Sequence, residues 1–376
     1  YNFYHKKMRI KKIVLHKVSI PMINSFATSF GTITNKPTVI VKIETDEGIV
    51  GYGESAALPF PFYKPETTDI CMLVLKEYIA PLVLNKEFET IDEFMKLLRP
   101  IKNHNFSKTG IENALWMVFS IKSNKPLKKL LGGVQDKIAV GESIGIKETI
   151  EETLEEVELR RLQGFRRTKI KIKPGWDIKL VKAIRKKFGD IPLMVDANSA
   201  YSLKDIEVFK ELDNYDLLMI EQPLADDDII DHSILQKQIK TPICLDESIL
   251  SVEDARKAIY LKACKVINIK PGRVGGLLES KKIHDLCQKN NIGVWCGGML
   301  ETGIGRAFNI AVASLPNYIY PSDMSPVNFF YKDDLVKDSF YVDEDGFVKV
   351  PDKIGLGFEV DEKKIKKYTM EKLILR

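Results

Sequence analysis

Histidine and cysteine are scarce in this chain, five of each among 376 residues. Cys71, Cys244, Cys264, Cys287 and Cys296 are too few and too irregularly spaced for a disulfide framework or a zinc site, and their apolar surroundings mark most of them as buried thiols. The histidines show no metal-ligand spacing. His5 sits in a leader, residues 1–7, ahead of Met8, which reads as a natural start, so the leader is set aside from the fold. No uninterrupted apolar stretch reaches membrane-spanning length and no signal-peptide pattern opens the chain, so the expectation is a cytoplasmic protein with no membrane role. An excess of one charge is missing too: 57 Lys and Arg stand against 52 Asp and Glu. The lysines alternate with acids on helix-like segments such as 151–163 and 361–367, the pattern of a solvated surface, and no nucleic-acid role is expected. A phosphate loop, GxxxxGK followed by Ser or Thr, is absent. The glycine-rich stretches PGRVGG (271–276) and GGMLETGIG (297–305) therefore read as loops that face a substrate closely.

What is present is a series of charges at a nearly fixed interval. Lys171, Asp196, Glu221 and Asp246 are 25 residues apart, and Lys270 follows 24 later. That interval is about one strand, one helix and two loops, so the series reads as one charged residue per βα unit. Each charge stands where an apolar run ends, around 168–172, 192–195, 216–220, 243–245 and 266–269. Charges at the C-terminal ends of successive parallel strands converge on one face of a closed barrel, where active sites are built.

At this length two domains are expected. Alternating segments at 9–21, 38–43 and 49–52 predict a β-meander, and helical periodicity from 65 to 131, stopped by Gly132 and Gly133, completes an α+β capping domain over 8–136. A loop at 24–36 carries Phe26 and Phe30 and suits a lid over an apolar ligand. From Lys137 short strands alternate with helices, predicted at 177–188, 203–212, 230–239, 252–261, 276–290 and 305–315. Further strands near 139–144, 293–296 and 317–320 bring the barrel, 137–328, to eight. The tail, 329–376, alternates near 347–350 and is expected to pack back on the cap.

Three carboxylates with no His or Cys beside them describe a hard, oxygen-coordinating site, best suited to Mg²⁺, with Mn²⁺ able to substitute. Such an ion binds a substrate carboxylate and stabilises the enolate formed when its α-proton leaves. Lys169 and Lys171, two apart on one strand, share a face, and each ammonium is expected to lower its neighbour's pKa toward the working range. Lys270, from the strand beyond the acids, should approach from the opposite side. Two bases facing each other across one carbon permit racemisation.

These residues carry a resemblance to the enolase superfamily, in the muconate lactonising subgroup with its KxK motif. IKIKPGWD (170–177), VDAN (195–198), IEQPL (220–224), CLDES (244–248), NIKPGRVGG (268–276) and WCGGMLETGIGR (295–306) are most similar to o-succinylbenzoate synthases and N-acylamino acid racemases. The resemblance runs from Met8 to about Lys332. It implies an α/β fold, a (β/α)7β modified TIM barrel under an α+β capping domain. It also implies Asp196, Glu221 and Asp246 as Mg²⁺ ligands and Lys171 and Lys270 as the acid/base pair. Glu247 and Asn198 would lie near the metal, and Arg273 stands at the arginine position of members that racemise N-acylamino acids. Ser143, Gly298 and Met299 match positions that contact substrate, and Phe26 belongs to the loop that closes over the site. One departure is visible: Met117 stands where the family has Asp. Residues 58–65 also carry additional prolines.

Two reactions on a small carboxylate use these parts, o-succinylbenzoate synthesis by dehydration in a menaquinone pathway and racemisation of N-acylamino acids. A dipeptide epimerase or muconate cycloisomerase is the alternative within the subgroup. The alternative from another class is a protein that binds metal and carboxylate without turnover. Barrels of this type often form homo-oligomers, though no interface signature is visible.

Overall fold

The computed structural model describes residues 7–29 and 31–376. Residues 1–6 of the leader and Phe30 of the expected lid lie outside the described residues.

The cap is an antiparallel sheet in the order Thr369–Leu375, Met8–Val18, Thr38–Thr45, Val50–Ser55, with the short strand Glu87–Phe88 also on Met8–Val18. Val and Ile dominate its inner face, as a half-buried strand requires. The helix Asn105–Ser123 lies flat on Val50–Ser55 because the contact is cleared of side chains. A Cβ on Gly53 would stand 2.0 Å from the Gly110 carbonyl oxygen, and one on Gly51 would stand 2.1 Å from that of Ala114. The expected helical region resolves into several helices around the Glu87–Phe88 strand and ends at Leu127–Leu131, capped by Gly132 at φ +86°. Met117 is part of this cap, its sulfur accepting the Tyr52 N–H at 3.3 Å.

The barrel is a seven-stranded parallel sheet of Gly141–Ile144, Arg167–Lys171, Leu193–Asp196, Ile220–Glu221, Ile243–Leu245, Val266–Ile269 and Gly293–Cys296, in that order. The predicted helices appear at Ile178–Phe188, Ile206–Leu212, Ile229–Gln238, Val252–Leu261, Leu277–Lys289 and Gly303–Ala313, joined by Ile150–Leu162. The expected eighth strand at 317–320 is not a strand of this sheet. Tyr318 bridges to Val294 and Ser322 to Val140, closing the ring by isolated parallel bridges. Pro316 and Pro321 bracket the run, and each removes a ladder N–H. The barrel floor is sealed by Met194, Met219, Cys244, Val266 and Trp295, all buried. All five cysteines are buried free thiols.

The tail meets both parts of the chain. Phe347–Lys349 pairs antiparallel with Lys137–Ala139 at the barrel's entry, not with the cap. The return to the cap is made by Thr369–Leu375, which pairs with Met8–Val18. Among the described residues no helix is long and apolar enough to cross a membrane.

Carboxylates from the cap pin it to the barrel. Glu112 accepts the N–H groups of Leu277 (2.6 Å) and Leu278 (2.9 Å) at the start of Leu277–Lys289. Glu54 does the same at Gly303–Ala313, accepting Thr302 N–H at 3.1 Å and Gly305 N–H at 2.9 Å. Each anion meets the positive end of a helix. Gly276 makes the first contact possible, since it adopts φ +122° and a Cβ there would stand 1.8 Å from the Glu112 carboxylate. Gly276→Ala is therefore expected to destabilise the protein by at least about 2 kcal/mol. Urea unfolding measures it, and a midpoint equal to that of the parent would contradict the clasp.

Candidate active site

The strand register aligns the expected charges on one rim. Asp196 lies opposite Lys171 on one side and Glu221 on the other, and Asp246 follows the strand Ile243–Leu245 directly. The strands carrying Lys171 and preceding Lys270 have three others between them, so the two lysines stand on opposite sides of the barrel mouth. Both line one cavity. Its remaining wall is largely apolar, including Phe26, Ile33, Leu58, Met299 and Phe330. The expected lid segment is a small hairpin, Phe26–Thr28 with Gly31–Ile33. The Phe26 ring meets that of Phe330 edge-on at 6.4 Å, and the Ala27 carbonyl accepts the Ile146 N–H at 3.1 Å.

All of the candidate ionisable groups are buried. Lys171 donates to Asp196 Oδ2 (2.6 Å) and Asn198 Oδ1 (2.7 Å). Lys169 donates to Glu221 Oε2 (3.1 Å) and Asp323 Oδ2 (2.7 Å), and Asn268 holds the other oxygen of Glu221 at 2.6 Å. Lys270 donates to Asp246 Oδ2 (2.7 Å), while Arg273 and the Tyr63 hydroxyl (2.9 Å) hold Oδ1. Asn198 donates to Glu247 Oε1 at 2.8 Å. Asn198, two residues after Asp196, and Gln222, directly after Glu221, take φ of +43° and +36°, uncommon for residues with a Cβ. Gln222 is locked there by accepting the N–H groups of Asp246 (3.0 Å) and Ser248 (3.2 Å). Ser143 and Gly298 also line the cavity.

The expected depression of Lys169 is corrected. Burial does pull Lys169 down, but Asp323, Glu221 and Asp196 outweigh it and push it up to about 12. Lys270 is likewise raised: burial opposes, and Tyr63, Glu221, Glu247 and Asp196 prevail. The same charges bear on the acids. Asp196 is lowered to about 2, since Lys171 and Lys169 overcome its burial. Glu221 and Glu247 are raised, by burial first and by the charge of Asp196 second.

As the side chains stand, the three expected ligands turn their oxygens to lysine and arginine. Among the described residues no three His, Cys, Asp or Glu side chains gather into a metal-holding group. The chemistry of the donors nonetheless suits a hard cation: they are all oxygen, and Glu247 Oε2 is buried with no hydrogen-bond partner.

Several site residues escaped the sequence reading. Tyr63 reaches in from the proline-rich stretch 58–65, with Lys270 4.8 Å from its ring centre. Asn268, Asp323 and Arg306 were missed as well, and Asn268 was the most accessible of them, two residues before Lys270 on the same strand face. Glu142 stands in the cavity wall beside Ser143, accepting a hydrogen bond from Ser325. Burial pushes its carboxyl up to about 7, with Asp323 adding to the shift and Ser325, Arg160 and Arg167 opposing it. A carboxyl raised from about 4.5 contributes its stability in full below that pH and loses it as pH rises through about 7. Glu142→Gln is thus expected to match the parent near pH 4.5 and to exceed it at pH 8 by up to about 3 kcal/mol. Thermal unfolding at both pH values tests this, and an equal difference at the two would refute it.

Comparison with known proteins places these features in context. Residues 152–364 match the family model for the enolase C-terminal domain-like region, and residues 10–132 match that for the mandelate racemase / muconate lactonizing enzyme N-terminal domain. The chain is 46% identical to an o-succinylbenzoate synthase of Bacillus subtilis, over 96% of this chain and 97% of that one. It is 41% identical to an N-succinylamino acid racemase of Amycolatopsis, over 93% and 95%. Among solved structures, an enolase superfamily member from Listeria innocua superposes with a TM-score of 0.94 at 41% identity, covering 98% of this chain and 99% of that one. A dipeptide epimerase from Cytophaga hutchinsonii, complexed with Mg and the dipeptide D-Ala-L-Val, gives 0.90 at 26% identity, over 98% and 100%.

Proposed function

The chain belongs to the mandelate racemase / muconate lactonizing enzyme group of the enolase superfamily and is an enzyme, and from that premise we propose that it works as an o-succinylbenzoate synthase, an N-succinylamino acid racemase, or both. The two reactions share one step, removal of a proton α to a carboxylate. The observation that carries the reading is the placement of Lys171 and Lys270 on opposite sides of one cavity, with the acidic rim between them.

Asp196, Glu221 and Asp246 would hold Mg²⁺ or Mn²⁺, with Glu247 and Asn198 adjoining. Once bound, the ion supplies positive charge against the substrate carboxylate and the enolate. Lys171 would take the α-proton. In dehydration of a cyclohexadiene carboxylate it returns that proton to the departing hydroxide, while the Lys270 ammonium faces the enolate from the far side and stabilises its charge. In racemisation each lysine serves one enantiomer, one acting as base while the other, protonated, delivers a proton to the opposite face. Arg273 and Tyr63 fix Asp246 and bound the volume in which Lys270 can move. The apolar wall, closed by Phe26 and Phe330, keeps water from the enolate. The proposed setting is the cytoplasm.

The test is proton NMR in D₂O with Mg²⁺, with the synthase substrate and N-succinyl-L-phenylalanine in separate samples. Dehydration, or α-deuteration with racemisation, is expected. A chelator should abolish it and added Mg²⁺ or Mn²⁺ should restore it. Tight substrate binding with neither reaction would sink the proposal and favour a non-catalytic carboxylate binder.

A further inference from the structure

Lys169 takes no proton in the chemistry above, yet it touches two of the three acids assigned to the ion. Its ammonium lies 3.1 Å from Glu221 Oε2 and 3.7 Å from Asp196 Oδ2, while its shortest ion pair, 2.7 Å, is with Asp323 Oδ2. Lys171 and Lys270 are arranged differently. Each makes its shortest ion pair with an acid of the rim, Asp196 at 2.6 Å and Asp246 at 2.7 Å, and in the reaction each turns from that acid to the substrate. Lys169 lies deeper. Its side chain is 3% exposed and its ammonium stands 4.8 Å from the centre of the ring of Trp295, a residue of the barrel floor.

A buried ammonium needs a counter-charge, and a carboxylate that gives its lone pairs to a divalent ion is a weaker one. With Glu221 and Asp196 engaged by the ion, Asp323 is, among the described residues, the remaining acid within ion-pair reach of Lys169. We propose that Asp323 is a positioning residue: it holds the Lys169 ammonium back from Glu221 and Asp196 and so leaves their oxygens to the divalent ion. The inference deepens the functional reading above and rests on it. Asp323 is itself fixed on every side. Its N–H donates to the Cys296 carbonyl at 2.9 Å, its own carbonyl accepts Arg306 Nη1 at 2.5 Å, and its Oδ1 accepts Arg167 Nη2 at 2.7 Å. Arg167 is in turn anchored, with Nη2 also donating to the Pro321 carbonyl at 2.9 Å and Nη1 to that of Glu142 at 3.2 Å. The acid that restrains Lys169 therefore has little freedom to follow it toward the rim.

Isothermal titration of chelator-treated protein with Mg²⁺ alone, without substrate, tests the role in a double-mutant cycle. Asp323→Asn is expected to weaken Mg²⁺ binding by about 10- to 100-fold, the usual cost of removing a partner that orients metal ligands. The loss should run through Lys169. In a Lys169→Met background the same substitution should change the affinity by no more than about 3-fold, because no ammonium is left to compete for Glu221 and Asp196. An Asp323→Asn affinity equal to that of the wild type overturns the proposal. So does an equal loss in both backgrounds, which would assign the effect to added charge or to general damage. If Asp323→Asn does not fold, as judged by circular dichroism, the two Lys169→Met proteins decide, and a loss of about 10-fold or more between them overturns it. A wild type that takes up no Mg²⁺ would refute the metal site itself and this role with it, whereas a wild type that binds while Asp323→Asn binds equally refutes the role alone.

Discussion

Lys171→Ala and Lys270→Ala are each expected to lower kcat for racemisation by about 10³-fold or more, within the upper range for loss of a positioned acid or base. A racemase that moves a proton from one face to the other needs both groups, so neither lysine compensates for the other. The variants should differ from a misfolded protein in one respect. With Lys270 removed, Lys171 can still exchange the α-proton of one enantiomer for deuterium and return it on the same face. One-sided exchange without inversion is the expected signature, with the opposite enantiomer exchanging in the Lys171 variant. For dehydration the two substitutions should not be equal, because only Lys171 moves protons there. Equal losses in both reactions, with no residual exchange on either face, would contradict the assignment of roles. NMR in D₂O reads all of these outcomes, and circular dichroism checks the fold.

Glu54→Ala should produce the largest loss of stability. The side chain is buried and accepts from Thr302 N–H, the Thr302 hydroxyl (2.7 Å), Gly305 N–H and the Thr38 hydroxyl (3.0 Å). Its removal leaves the Thr302 and Gly305 N–H groups at the start of Gly303–Ala313 without this acceptor and takes from the buried Lys36 the largest of its favourable charge partners. Breaking a buried charged network by deleting one member costs about 3–5 kcal/mol. Because Glu54 belongs to the cap and the helix to the barrel, unfolding should also become less cooperative, with separate transitions by far-UV signal and by tryptophan fluorescence. Glu54→Gln, which keeps an acceptor, should lie between. A midpoint within experimental error of the parent would remove the clasp from any account of how the two parts are joined.

The rim of the barrel was legible because its chemistry sits at a regular place in a regular pattern: an apolar run ends, a charge follows, and the unit repeats. The register confirmed that logic at Asp196 and Glu221. Tyr63, Arg306 and Asp323 obey no such period. They arrive from a cap loop, a helix start and the segment beyond the last strand, and only the folded chain brings them to the cavity. Alternation at 347–350 showed that the segment would be a strand but not which strand it would join, since a face can be read from spacing and a partner cannot. The Lys169 pKa expectation failed for a related reason. Spacing revealed that Lys169 and Lys171 share a face, while the carboxylates that dominate Lys169 lie 52 and 154 residues away in sequence. The run at 317–320 was apolar enough for a strand, and its flanking prolines were the warning against one.

The cap sheet joins Met8–Val18 to Thr369–Leu375, segments that leave the ribosome about 360 residues apart. At roughly 5–20 residues per second, the first strand waits some 20–70 s for that neighbour. The barrel is fully synthesised in the interval and can close beneath an unfinished cap. Until the last strand docks, the unpaired N–H and C=O edge of Met8–Val18 stands open to any passing chain, so the newborn protein passes through a stage in which a chaperone has one particular strand to shield.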